Sequence, residues 1–171
     1  MLSQNMQDAL NGQINEELFS AYLYASMASH FEHTSLPGFA QWMRVQSEEE
    51  LVHARKLVTY VNNRNGQVIY KAIAAPQTDW ASPLAALQDA YKHECHISEC
   101  INKLQSLSLK LNDHATHAFL EWFVTEQVEE EANVDKTVQA LKMVADAPSG
   151  LFLLDREMAQ RSAAPPAPAT D

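Results

Sequence analysis

Four long stripes of apolar residues at helical spacing run through the chain, and each is interrupted near its middle by one glutamate. The first reads Leu10, Ile14, Glu17, Ala21, Tyr24, Ala28, Phe31, and the second Phe39, Met43, Gln46, Glu50, His53, Leu57, Tyr60. The third reads Leu84, Leu87, Tyr91, Glu94, Ser98, Ile101, and the fourth Leu120, Phe123, Gln127, Glu130, Val134, Leu141. Residues three and four apart share one face of a helix, so each stripe predicts a long amphipathic helix. Glu17, Glu50, Glu94 and Glu130 then face one shared interior. A buried carboxylate without a partner is costly, and no stripe sets a Lys or Arg beside its acid. Bound cations are the expected counter-charge.

The punctuation agrees with few, long helices. Only 4 glycines occur among 171 residues, and the prolines fall between elements or at the end. Ser3 predicts the cap of a first helix reaching about Glu32. Leu36-Pro37-Gly38 turns into a second, which stops at Asn65-Gly66. Residues 67–81 lack helical patterning and are too many for a hairpin turn, so they form a crossover. Ser82 with Pro83 starts a third helix to about Leu111, and Asn112-Asp113 breaks into a fourth that ends near Ala145. A short fifth helix is expected from Ser149 to about Arg161. The expected fold is all-α. It is an up-down-down-up four-helix bundle with the long crossover between its second and third helices and a short fifth C-terminal helix. One domain is expected over residues 1–161, followed by a disordered, Ala/Pro-rich tail at 162–171.

A chain of this size buries a core without structural metals, so a metal in its interior is functional. A formal charge of -10 argues against nucleic acid and anionic membrane as partners. Cys95 and Cys100 lie five apart on one helix, point in different directions, and are expected to be free thiols of a reducing compartment. With neither a basic-then-apolar leader nor an apolar run of about 18 residues, a soluble cytoplasmic location is expected.

The chemistry follows from spacing. Glu50 and His53, three apart, direct a carboxylate and an imidazole to one point, and Gln127 and Glu130 direct an amide and a carboxylate to another. Four carboxylates carry about -4, which two divalent ions balance. Mostly oxygen ligands with one imidazole suit iron(II), manganese(II) or zinc rather than copper(I). A bridging glutamate would hold two such ions about 3.5 to 4 Å apart.

The segments Ile14-Asn15-Glu16-Glu17-Leu18, Glu49-Glu50-Leu51-Val52-His53-Ala54, Tyr91-Lys92-His93-Glu94 and Trp122 to Glu131 closely resemble the non-haem bacterial ferritins over about residues 5–160. That resemblance implies Glu17, Glu50 and His53 as ligands of a first iron and Glu50, Glu94 and Glu130 as ligands of a second, with Glu50 bridging. It implies Gln127 as the amide near the second iron and the dioxygen site. Glu49, Glu126 and Glu129 are implied as a third, weaker iron site sharing Glu130, and Tyr24 and Trp122 as redox-active aromatics. The implied activity is ferroxidation by dioxygen or peroxide, with Tyr24, Glu50 and Gln127 in catalytic roles. The ferric mineral would be stored in a shell of 24 copies. Haem-bearing relatives place Met after the second-helix Glu and end the fourth-helix motif in His. Leu51 and Glu130 stand there, so haem is not expected. Where animal ferritins carry pore acids early in the fourth helix, His117 and Leu120 align.

Blander readings compete. An isolated acidic run is usually a solvated face, which fits Glu48 and Glu131, whereas Glu50 and Glu130 lie on apolar stripes. A lone core histidine is more often structural than a ligand, which fits His93, His96, His114 and His117, while His53 is set apart by Glu50. A soluble di-iron peroxide reductase shares this bundle. It usually adds a Cys-x-x-Cys module and a second Glu-x-x-His, and the chain has neither. A DNA-binding or purely structural bundle would not need acids inside it.

Overall fold

Ser3 closes the first helical turn as its spacing predicts: its hydroxyl accepts from the Met6 amide at 3.3 Å, and α1 (Gln4–His33) follows. The computed structural model describes residues 2–144 and 147–162. Its described residues contain four more helices, α2 (Pro37–Asn63), α3 (Pro83–Lys110), α4 (His114–Val144) and α5 (Pro148–Met158). Ser82 caps α3 through the Ala85 amide at 3.1 Å, and Pro83 occupies the first turn, where a missing N–H costs nothing. The ends of α1, α2 and α3 share one device. Ser35, Asn65 and Asn112 take φ values of 62°, 55° and 54°, and the next amide folds back to a carbonyl five residues earlier. The expected tail lies, apart from Ser162, outside the described residues, as does Ala145.

With 27 to 31 residues each, α1 to α4 are about 40 to 46 Å long. α1 pairs with α2 and α3 with α4 as antiparallel hairpins. The segment 64–82 runs the length of the bundle between them, which gives up-down-down-up connectivity. Asn11 ties down the start of this crossover, donating to the Gln67 carbonyl and accepting from the Ile69 amide. Trp80 anchors its end against His30.

The core is divided. One apolar cluster includes Tyr24, Met27, Phe31, Phe39, Met43, Leu87 and Val134, and the other Leu10, Ile14, Leu57, Ile97, Ile101, Leu120 and Phe123. Between them lies a fully buried polar layer of Glu17, Gln46, Glu50, His53, Glu94, Gln127 and Glu130. The third stripe needs correction: Leu84, Tyr91 and Ser98 are only half-buried, and Ala86, Ala90 and Ile97 take the interior face. Alanine weighs little in a hydrophobic pattern, yet Ala86 and Ala90 are completely buried. Leu120 is completely buried, so it lines no pore within the single chain.

α5 lies across the end of the bundle, against α2 and α4. Leu36 offers α2 no side-chain cap, and buried Asp155 of α5 supplies one by accepting from the Phe39 amide at 3.0 Å. Gly38 makes the approach possible, since a Cβ there would lie 1.6 Å from the Asp155 carbonyl oxygen.

Candidate metal centre

The polar layer begins with three side chains on two helices. Glu17 on α1 faces Glu50 and His53 on α2, and one ligand atom from each lies within 4.8 Å of the others. His53 Nδ1 is 3.2 Å from Glu50 Oε2 and 3.9 Å from Glu17 Oε2. Ligands on a common ion at about 2.0 to 2.2 Å are themselves separated by about 3 to 4 Å. Gln13 satisfies Glu17 Oε1 at 2.9 Å, but Glu17 Oε2 is buried without a hydrogen-bond partner. An orphaned carboxylate oxygen aimed at a second carboxylate and an imidazole fits a divalent cation.

The other half of the layer joins α2, α3 and α4. Glu94 accepts from the Tyr24 hydroxyl through Oε1 and from Gln127 Nε2 through Oε2 at 3.2 Å. Gln46, one turn before Glu50, donates to Glu130 Oε2 at 2.7 Å and to Glu50 Oε1 at 3.3 Å. Gln46 lies on the α2 stripe, where the pattern alone assigns it no task. Its position i−4 to Glu50 was the available signal. Gln127, expected near the second ion, turns its amide nitrogen to Glu94.

Burial raises Glu17 well above the usual carboxylate range, and the charge of Glu50 adds to this. Burial likewise raises Glu50, with repulsion from Glu94 and Glu130. Glu94 is raised by burial against the bonds from Tyr24 and Gln127. Glu130 is pushed to about 7 by burial and then by Glu94, while the Gln46 bond and nearby Arg161 hold it down. Tyr24, buried beside Glu94 and Glu50, is held well above its ordinary value. The metal-free layer thus resists full ionisation, as crowded carboxylates in a dry interior must.

A second grouping brings His53, Glu126 and Glu130 within 4.8 Å of one another. Burial raises Glu126, and among its neighbours Glu129 and Glu49 raise it further. Glu49 and Glu126 are half-buried and Glu129 is exposed, and the grouping with His53 takes in Glu126 but neither Glu49 nor Glu129. Trp122 packs edge-on to His53 at 5.4 Å between ring centres. His93 bonds Ser20 at 2.7 Å, flanks Tyr24, and is lowered to about 4 by burial and by His96, so it is a neutral supporting residue at pH 7. Cys95 and Cys100 are free thiols.

One neighbour of the layer comes from outside the stripes. The stripes themselves hold no basic residue beside an acid, but the layer does have a basic neighbour. Arg161, just beyond the end of α5, donates to Gln46 Oε1 at 2.7 Å and to Glu49 Oε2. It reaches them from 115 and 112 residues away in sequence, a proximity that helical spacing does not encode.

A model of the ferritin-like domain matches residues 7–144. A bacterial non-heme ferritin of Bacteroides fragilis (strain 638R) is 38% identical over 161 residues, spanning 94% of this chain and 100% of that protein. One from Staphylococcus aureus (strain MRSA252) is 35% identical over 162 residues, covering 95% and 98%. Among solved structures, an engineered closed form of the Archaeoglobus fulgidus ferritin superposes with a TM-score of 0.95 at 43% identity, covering 96% of this chain and 100% of that one. The open-pore ferritin of the same archaeon gives 0.94 at 44% identity, covering 95% and 100%. No described helix is long and apolar enough to cross a membrane. A five-helix bundle with carboxylates and one histidine gathered at its centre, matched along nearly its whole length by such relatives, places this chain in the ferritin family.

Proposed function

We propose that the chain oxidises iron(II) at the intra-subunit carboxylate layer and stores the ferric product inside a hollow shell of 24 copies, in the cytoplasm. The observation that carries this reading is the buried Glu17–Glu50–His53 group with its unpartnered Glu17 oxygen. These three residues would hold one iron(II). Glu50, Glu94 and Glu130 would hold a second, with Glu50 between the two. Two iron(II) ions deliver two electrons to dioxygen or peroxide, and the chain's own part is to place them. Gln127 orients Glu94, Gln46 steadies Glu50 and Glu130 until iron enters, and His53 is set by the Trp122 edge. The buried Tyr24 phenol, bonded to Glu94, supplies an electron when irons and oxidant do not balance. Glu49, Glu126 and Glu129, with Glu130 shared, form an outer subsite for a third, weaker iron. Exposed Tyr22, Tyr70, Phe152 and Leu153 are apolar surface that a shell would cover.

Stopped-flow absorbance of iron(II) oxidation, with sizing of the same samples, tests the reading. Glu50→Ala and His53→Ala are each expected to abolish the fast phase and leave the assembly intact, because both side chains point inward. Parental rates in either variant would overturn the site. Turnover without retained iron would favour a di-iron peroxide reductase instead.

A further inference from the structure

Among the described residues, Arg161 is the one cationic side chain bonded to both Gln46 and Glu49 at the margin of the acidic layer; Lys56 lies near Glu126 but sits over the Trp122 ring. Its side chain is four-fifths buried, and the guanidinium holds three partners at once: Gln46 Oε1 at 2.7 Å, Glu49 Oε2, and the face of Trp42 at 4.2 Å from the ring centre. An arginine has donors only, so it dictates how the Gln46 carboxamide lies. With its oxygen turned to Arg161, the Gln46 nitrogen must face Glu50 and Glu130, where it donates to both. One side chain from the end of α5 therefore neutralises Glu49 directly and steadies two buried carboxylates through Gln46. A planar fork stacked on an indole suits this task, and a lysine would not reproduce it.

We propose that Arg161 is a built-in counter-cation of the outer subsite: it occupies Glu49 while that subsite is empty and must release Glu49 when iron(II) binds there. The inference rests on the proposed outer subsite of Glu49, Glu126 and Glu129. Arg161 sits on Glu49 Oε2 and offsets its charge, so an ion drawn to the same carboxylate meets a like-charged neighbour and the two cations compete. A route of withdrawal exists. Arg161 borders a cleft of about 290 Å³ walled by Trp42, Thr137, Leu154 and Glu157, and Glu157 offers another carboxylate there. The exchange makes the outer iron weaker than the inner pair, and it links subsite occupancy to the end of α5. Lys136 also borders this cleft but makes no ion pair with Glu49.

Anaerobic iron(II) titration calorimetry on the assembled parent, Arg161→Gln and Arg161→Lys tests the exchange. In Arg161→Gln the weakest of three binding steps is expected to tighten about five- to tenfold, with the first two changed less than about twofold. Arg161→Lys, which keeps the charge, is expected to stay closer to the parent. Three steps in the parent with an unchanged third step in Arg161→Gln would overturn the role of Arg161 and leave the outer subsite standing. Two steps in both proteins would overturn the subsite and the inference with it. Two in the parent and three in the variant would show an arginine strong enough to exclude the ion. Crystals of the parent soaked anaerobically in iron(II) give an independent reading, even if a variant fails to assemble. An ion at Glu49 is expected with Arg161 turned away, and an ion there with the Arg161–Glu49 bond intact would refute the exchange.

Discussion

A single carboxylate shows how the layer trades stability for ligand capacity. Glu130 moves from an ordinary 4.5 to about 7 in the fold, so the folded chain binds a proton more tightly than the unfolded one. The stabilisation this brings is complete below about pH 4.5 and is lost as pH rises through 7, by on the order of 3 kcal/mol. Metal-free protein is therefore expected to melt at higher temperature at pH 5 than at pH 8. Glu130→Gln cannot ionise and still accepts from Gln46. It is expected to flatten this dependence and to gain about 1 to 3 kcal/mol at pH 8, while losing most of the stabilisation that iron(II) or zinc gives the parent. Melting curves of both proteins, metal-free and loaded, decide this; a variant that melts below the parent at pH 8 without metal would show that the carboxylates are already satisfied. Tyr24→Phe removes the donor to Glu94 but no ligand. Iron(II) affinity is expected to stay within about threefold, while oxidation slows or changes course in rapid-freeze spectra. Unchanged rates and spectra would remove Tyr24 from the chemistry.

Among the elements, α5 has an influence beyond its 11 residues. It caps α2 through Asp155, closes over Gly38, and is followed within three residues by Arg161, which reaches Glu49. A methyl group at position 38 would collide with the Asp155 backbone, so one of the two must shift. Gly38→Ala is therefore expected to lift α5 and cost about 1 to 3 kcal/mol, as overpacking does. Asp155→Ala, which removes only the cap, is expected to cost about 1 kcal/mol. Thermal melts rank the two variants, and equal stability of Gly38→Ala and parent would contradict the packing described. At the opposite end Arg64 performs a comparable service, joining the end of α2 to Asp113 and Thr116 at the start of α4.

For the whole molecule, the exposed side chains carry the expectation. Phe152 and Leu153 on α5 and Tyr22 and Tyr70 alongside the crossover stand in solvent in the single chain. Replacing Phe152 and Leu153 together by serine is expected to leave the bundle helical by circular dichroism and to shift sedimentation from a very large species toward small ones. A parent that sediments as a monomer would overturn the shell. Iron retained far above three per chain by the large species, after aerobic loading, is the matching expectation for storage.

The four helices, their order, the crossover and the acids at mid-helix were legible because each is encoded locally. A repeat near 3.6 residues marks a buried face, a cap or αL residue marks an end, and a glutamate on an apolar face marks a place where charge must be met. Glu50 with His53, and their closeness to Glu17, were readable on those terms. The rotation of α3 onto Ala86, Ala90 and Ile97 was not, because alanine barely registers in hydrophobic periodicity. Gln46 was visible on its stripe but not its task, since the direction of an amide depends on which groups surround it. Tertiary structure alone brought Asp155 to the start of α2 and Arg161 to Glu49, across more than a hundred residues of chain. Helical periodicity tells which face of a helix turns inward. Which ends meet, and which side chains pass from one element into another's site, follows only once the helices have packed.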